Sequence, residues 1–174
     1  MKKGDIWISA VMYIALGVVV LSIILAAAMP VITKLRDKNT ALQTKELLFK
    51  LDETIRTVFT EGPGSKRAVK IQLGRGDFVI DEVTDRINWT TKTKVVLSEP
   101  GTTVKEGNLN ILTNPTKVTN EYETSIWLDY LTIADIQSKI KKLAGSYNLI
   151  IQNSGVEPGC ITNCRIRVTI SEAV

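Results

Sequence analysis

The chain has 174 residues, 44% of them hydrophobic and 23% charged, with a formal charge of +4, two cysteines and no histidine. Without histidine there is no Ser-His-Asp or Cys-His arrangement and no HExxH metal helix. Two of the positive charges, Lys2 and Lys3, sit in the first residues, and no Lys/Arg cluster is interleaved with aromatics, so the sequence offers no nucleic-acid face.

The chain opens on Met1-Lys2-Lys3-Gly4, then Asp5, then a run of 28 residues without a formal charge from Ile6 to Thr33. As a helix that run is about 42 Å long, more than the ~30 Å hydrocarbon core of a bilayer. It is apolar all round, with small residues at Ala10, Ala15, Gly17 and Ala26 to Ala28 where a second helix can approach closely. Pro30 is expected to kink the helix or break its ladder locally.

The apolar pattern does not stop there. Leu35, Leu42, Leu48, Leu51, Ile55 and Val58 recur near the helical period, with Lys34, Arg36, Lys38, Lys45 and Lys50 on other faces. Glu46 with Lys50 and Asp52 with Arg56 are i,i+4 pairs in the favourable order. Gly62-Pro63-Gly64 ends the helix, since glycine takes the left-handed exit and proline cannot continue the ladder. The pattern predicts a leader at 1–4, a helix over 5–61 and a head domain over 62–174, the head being long enough for one buried core.

From Ser65 onward the period changes to two. Val69, Ile71 and Leu73 alternate with polar residues, Gly74-Arg75-Gly76 supplies a turn and Phe78-Val79-Ile80 returns, which predicts a hairpin. Further strands are predicted at 87–89, 94–97, 108–112, 124–128, 148–152 and 165–170, separated by Gly, Pro, Asn and Ser. One helix is predicted over 133–144, where Ile133, Ile136, Ile140 and Leu143 form a stripe, Thr132 caps, and Gly145 follows. Lys139, Lys141 and Lys142 then fall on its solvated face and last turn. The fold class is α+β: a long N-terminal hydrophobic helix, then a β-rich antiparallel head with one short helix.

No GxxxxGK[ST] loop is present, and Gly74-Arg75-Gly76 lacks the third glycine and following helix of a dinucleotide site. No catalytic, cofactor or metal residues are assigned. Cys160 and Cys164, four apart in a turn-rich loop, have no second pair for zinc; a disulfide is the natural state outside the cytoplasm and two free thiols the state inside it. Asn88-Trp89-Thr90 fits the N-glycosylation acceptor pattern, against the plain alternative of a polar strand position. Arg75-Gly76-Asp77 spells an adhesion tripeptide but is also ordinary turn chemistry.

The leader admits three readings. A secretory signal cut after Ala26-Ala27-Ala28 has an apolar stretch of only 7–15 residues, about half of this one. An uncleaved anchor keeps Lys2 and Lys3 on the cytoplasmic side and the head outside. The third rests on a resemblance: a short basic leader ending in Lys3-Gly4, a junction at Asp5, a retained apolar segment and a continuous helix into a β-rich head resemble type IV pilin-like subunits, including archaeal pilins and archaellins with class III signal peptides. The detailed resemblance covers about the first 60 residues. It departs from bacterial major pilins, which usually carry glutamate at the fifth residue after the cut, where this chain has Ser9.

The resemblance implies cleavage between Gly4 and Asp5 by a prepilin peptidase, residence in the cytoplasmic membrane before assembly, and export by pilus machinery into a cell-surface filament. It implies self-assembly through a core helix presenting Ile6, Ile8, Val11, Ile14, Leu16, Val18, Leu21, Ile24 and Leu25, with no cofactor. The alternatives are a single-pass anchored binding module and a pseudopilin-type secretion component.

Overall fold

The computed structural model describes residues 4–143, 145–156 and 164–172. A single helix, α1 (Gly4–Glu61), is followed by ten strands. They are β1 (Lys66–Gln72), β2 (Asp77–Asp81), β3 (Arg86–Thr93), β4 (Thr103–Glu106), β5 (Leu109–Pro115), β6 (Tyr122–Asp129), β7 (Ala134–Ser138), β8 (Lys142–Leu143), β9 (Ser146–Val156) and β10 (Ile166–Glu172). The chain is therefore α+β, with one long apolar N-terminal helix and a β-rich domain. It divides into two compact units, Met1–Arg36 and Asp37–Val174, so the border lies within α1 rather than at its end.

In the second unit, α1 supplies part of the core. Asp37, Ala41, Thr44, Leu48, Leu51, Ile55 and Val58 are buried. Their spacing alternates four and three residues, which keeps one stripe of the helix facing one surface. Leu42, placed in the stripe by sequence, is 44% exposed. The apolar members join a single buried cluster with Ile71, Ile151, Val168 and Ile170 and with Phe78, Ile87, Trp89, Ile126 and Leu128. The end of the helix is closed by the side chain of Asn153 on β9, whose Nδ2 donates to the Val58 and Phe59 carbonyls (3.2 and 3.4 Å). The Ser65 hydroxyl also donates to the Val58 carbonyl. Terminal carbonyls that have no partner within the helix are satisfied in this way.

The strands form a four-stranded sheet, ordered β1-β9-β10-β7, and a six-stranded sheet, ordered β4-β5-β6-β3-β2-β8. All neighbours are antiparallel except β7 and β10, which run parallel. β1 and β2 lie in different sheets, so the hairpin predicted around Gly74-Arg75-Gly76 is corrected: the loop is a crossover between sheets. β1 pairs with β9, and β2 with β3 and β8.

The helix predicted over 133–144 is likewise overturned, since 134–138 form β7 and 142–143 form β8. β-branched Thr132, Ile133, Ile136 and Ile140 lose rotamer freedom in a helix and suit a strand. The edge of β7 that turns away from β10 is sealed by carboxylates: Ile136 N–H donates to Asp85 Oδ1 and Ser138 N–H to Glu82 Oε1, both at 2.8 Å. Asp135, read as part of a helix start, instead faces its register partner Arg167 (2.7 Å). Burial alone raises its pKa, but the hydrogen bonds from Arg167 and Gln137 outweigh this and hold the carboxyl below its ordinary value.

The strand predicted over 94–97 is a loop, because its amides find other partners. Lys94 N–H donates to Asp37 Oδ2 and Val95 N–H to Thr93 Oγ1, both at 2.9 Å. β4, which has little apolar signal, forms further on.

Buried carboxylates tie the elements together. Asp52 on α1 accepts from Tyr130 Oη (2.9 Å), Asn108 Nδ2 (2.7 Å) and its own-helix partner Arg56 (3.0 Å). Asp85, 2% exposed and in the left-handed region at φ 51°, pairs with Arg165 (2.5 Å). Through Ile136 and Arg165, this one turn residue joins the β2–β3 connection to both β7 and the approach to β10.

Candidate functional site

The large apolar side chains left exposed along a continuous stretch are those of the first unit. α1 runs on through Pro30, where proline's missing N–H removes one bond of the ladder without ending the helix. Gly4 is the first residue of α1 and Asp5 the second. Ile6 and Ile8 lie in the same helix.

From Trp7 onward the apolar side chains project outward. Val11, Ile14, Leu16, Val18, Leu21, Ile24 and Leu25 are each more than half exposed. Sequence reasoning picked these as core-helix positions, but Trp7, Met12, Tyr13, Ile23, Met29 and Ile32 are equally uncovered, so the whole circumference is apolar surface. A helix of this length and composition is long and apolar enough to cross a membrane.

Two hydroxyls of the segment are satisfied by its own backbone. Ser22 Oγ donates to the Val18 carbonyl at 2.7 Å, and Thr33 Oγ1 to the Met29 carbonyl at 2.9 Å. Hydroxyls bonded to the carbonyl four residues back need nothing from solvent, which is the condition for residing among lipid tails or in a dry helix bundle. Sequence reasoning passed over both residues, although i−4 back-bonding is open to any helical Ser or Thr. Ser9, Met12, Tyr13, Ala15, Leu16 and Val19 line an open depression of about 560 Å³.

The remaining predicted sites are scattered over the second unit. Gly76 is at φ 101°, and a Cβ there would stand 2.6 Å from Trp89 Nε1. Arg75 reaches Asp37 (3.3 Å) and Asp77 reaches Lys142 (2.6 Å), so Arg75-Gly76-Asp77 is a turn whose charges are engaged within the domain. Asn88 lies mid-strand in β3, partly buried. Cys160 lies outside the described residues, and the Cys160–Cys164 pairing with it; Cys164 is exposed and is not a free thiol. Among the described residues, no group of three or more His, Cys, Asp or Glu side chains is placed to hold a metal ion.

Compared with known protein families, curated proteins and solved structures, the chain finds no match.

Proposed function

We propose that this protein is a structural subunit of an extracellular filament of the type IV pilin-like class. The observation that carries the reading is the first unit of α1, with large apolar side chains exposed on every face between Trp7 and Ile32 and the Ser22 and Thr33 hydroxyls bonded to its own backbone. In the bilayer this surface is soluble among lipid tails, and outside it other copies of the same helix supply the apolar surroundings. The depression beside Ala15 is of the kind a neighbouring helix fills at close approach. Gly4 and Asp5 then flank the processing site, and a Cys160–Cys164 disulfide staples the loop before β10 in the oxidising exterior.

The test is N-terminal sequencing of the subunit together with electron microscopy of material sheared from the cell surface. The expected outcome is a mature chain beginning at Asp5 within filaments, and loss of both in Gly4→Leu with the uncleaved chain kept in the membrane fraction. A second reading, a single-pass anchored module, draws on the same membrane-spanning length. It predicts a dispersed monomer in detergent that retains Met1 and never forms fibres.

A further inference from the structure

The six-stranded sheet has two faces of opposite character. The residues of β3 and β6 alternate strictly, Ile87, Trp89, Ile126 and Leu128 being buried on the core side. The register sets the outer face in ranks. Trp127 stands opposite Asn88 of β3 on one side and Asn110 of β5 on the other, and Ser125 stands opposite Thr90. Directly opposed residues in antiparallel strands have Cβ atoms roughly 5 Å apart, so an indole is flanked by two carboxamides with hydroxyls in the adjoining rank. The face is hollowed into an open depression of about 400 Å³ beside Trp127, within the roughly 300–1,000 Å³ of small-ligand sites.

One atom of a residue that lines the depression lacks a partner. Asn88 Nδ2 donates to Thr90 Oγ1 (3.3 Å), while Asn88 Oδ1 is enclosed and accepts no hydrogen bond. An enclosed acceptor without a donor costs on the order of 1–3 kcal/mol, and a turn of the partly buried Asn88 side chain toward the depression relieves that cost when a hydroxyl or amide proton is there to meet it. Charge narrows the class of ligand. Arg86 is neutralised by the opposing Asp129 (2.8 Å). Asp81 accepts from Val83 N–H and the Thr84 hydroxyl, which holds its carboxyl ionised below the ordinary value. No uncompensated cation awaits a phosphate or carboxylate, and Asp81 on the wall repels one. The backbone of β3 and β6 is paired on both sides, so a peptide has no edge to extend here.

We infer that the outer face of the six-stranded sheet is a binding site for a neutral saccharide, with Trp127 as the stacking platform and Asn88 as the acceptor for a sugar hydroxyl. A pyranose presents C–H groups, the positive side of its bonds, to the electron-rich face of an indole, and hydroxyls at its rim to flanking amides. Openness favours one or two rings of a longer chain lying across the sheet over an engulfed small molecule. The inference stands on the head alone and does not depend on the filament reading. It also assigns Asn88 a use that excludes the one suggested by Asn88-Trp89-Thr90, because a glycan attached to Nδ2 would itself fill the depression.

The test uses the full chain in a zwitterionic detergent free of sugar, titrated with soluble oligomers of glucose, mannose and N-acetylglucosamine. At least one series is expected to shift the Trp127 indole resonance and leave that of buried Trp89 in place. Trp127→Ala should weaken binding by about tenfold or more, the scale of one lost stacking contact, and Asn88→Ala should weaken it by a smaller factor. Should Trp127→Ala fail to fold, Asn88→Ala and Trp127→Tyr carry the comparison. The inference is overturned if no series shifts the indole, if folded variants bind as the parent does, or if peptide 87–92 of protein from its native host carries a glycan on Asn88.

Discussion

Truncating Leu51 to alanine tests whether the apolar residues of α1 serve two different purposes on either side of Asp37. Leu51 is fully buried in the core of the second unit. Three carbon groups are deleted; at about 0.8 kcal/mol each, plus the cavity they leave, the loss is about 3 kcal/mol. For a domain of this size 1 kcal/mol moves the melting temperature by about 3–5 °C, so the head should melt about 10 °C or more below the parent. The same truncation at Leu42, 44% exposed, should stay within about 0.5 kcal/mol. At Leu16, 61% exposed and in the first unit, it should leave head melting unchanged. The assay is thermal unfolding of the full chain in micelles, followed by the near-ultraviolet signal of buried Trp89. An equal effect at Leu42 and Leu51, or a shift under about 3 °C at Leu51, refutes the reasoning and returns the domain border to Gly62.

Gly76→Ala should destabilise the head by about 3 kcal/mol or prevent folding, read in the same melt. The added Cβ meets Trp89 Nε1 at 2.6 Å and the Thr90 carbonyl at 2.8 Å, at a φ that alanine rarely adopts. If Gly76→Ala folds normally, the loop is free to move and the adhesive-tripeptide reading regains weight. Alkaline titration gives a third outcome. Burial, then the Asp52 carboxylate, pushes the Tyr130 phenol well above its ordinary value. The unfolded chain therefore releases this proton near pH 10 while the folded chain keeps it, so Tyr130's contribution is complete below pH 10 and falls by up to about 1.4 kcal/mol per pH unit above it. Tyrosinate absorbance should show a step delayed well beyond the ordinary phenol range, and Tyr130→Phe should remove it.

Period-two patterning made β3, β5, β6, β9 and β10 legible, because each has one buried face and the alternation survives in the sequence. What misled was local consistency without its tertiary partner. Ile133, Ile136, Ile140 and Leu143 satisfy a helical stripe, yet parallel pairing with β10 and the carboxylates of Glu82 and Asp85 decide the matter, and these lie far along the chain. The buried charges were invisible for the same reason: nothing near Asp52 announces Tyr130 or Asn108, and nothing near Asp85 announces Arg165. The Trp127 face was half legible. Alternation places Trp127 on the polar side of its strand, but only the register sets Asn88 and Asn110 beside it.

The proposed membrane-to-filament step would need a driving force beyond burial of apolar surface. Each exposed Leu, Ile or Val of the first unit gains about 1.5–3 kcal/mol on full removal from water, so no dispersed aqueous state of this segment competes with either bilayer or bundle. Between those two, however, the hydrophobic effect is nearly indifferent, since lipid tails are as apolar as leucine. On the filament reading, extraction would therefore be driven by packing at small positions such as Ala15 and Gly17, by contacts between heads, or by work done on the subunit. The back-bonded hydroxyls of Ser22 and Thr33 add no polar attraction between helices, because their protons are already spent. A stem built this way would move between two apolar surroundings at little cost in either direction, so on the filament reading its commitment to one of them has to be imposed from the head or from outside.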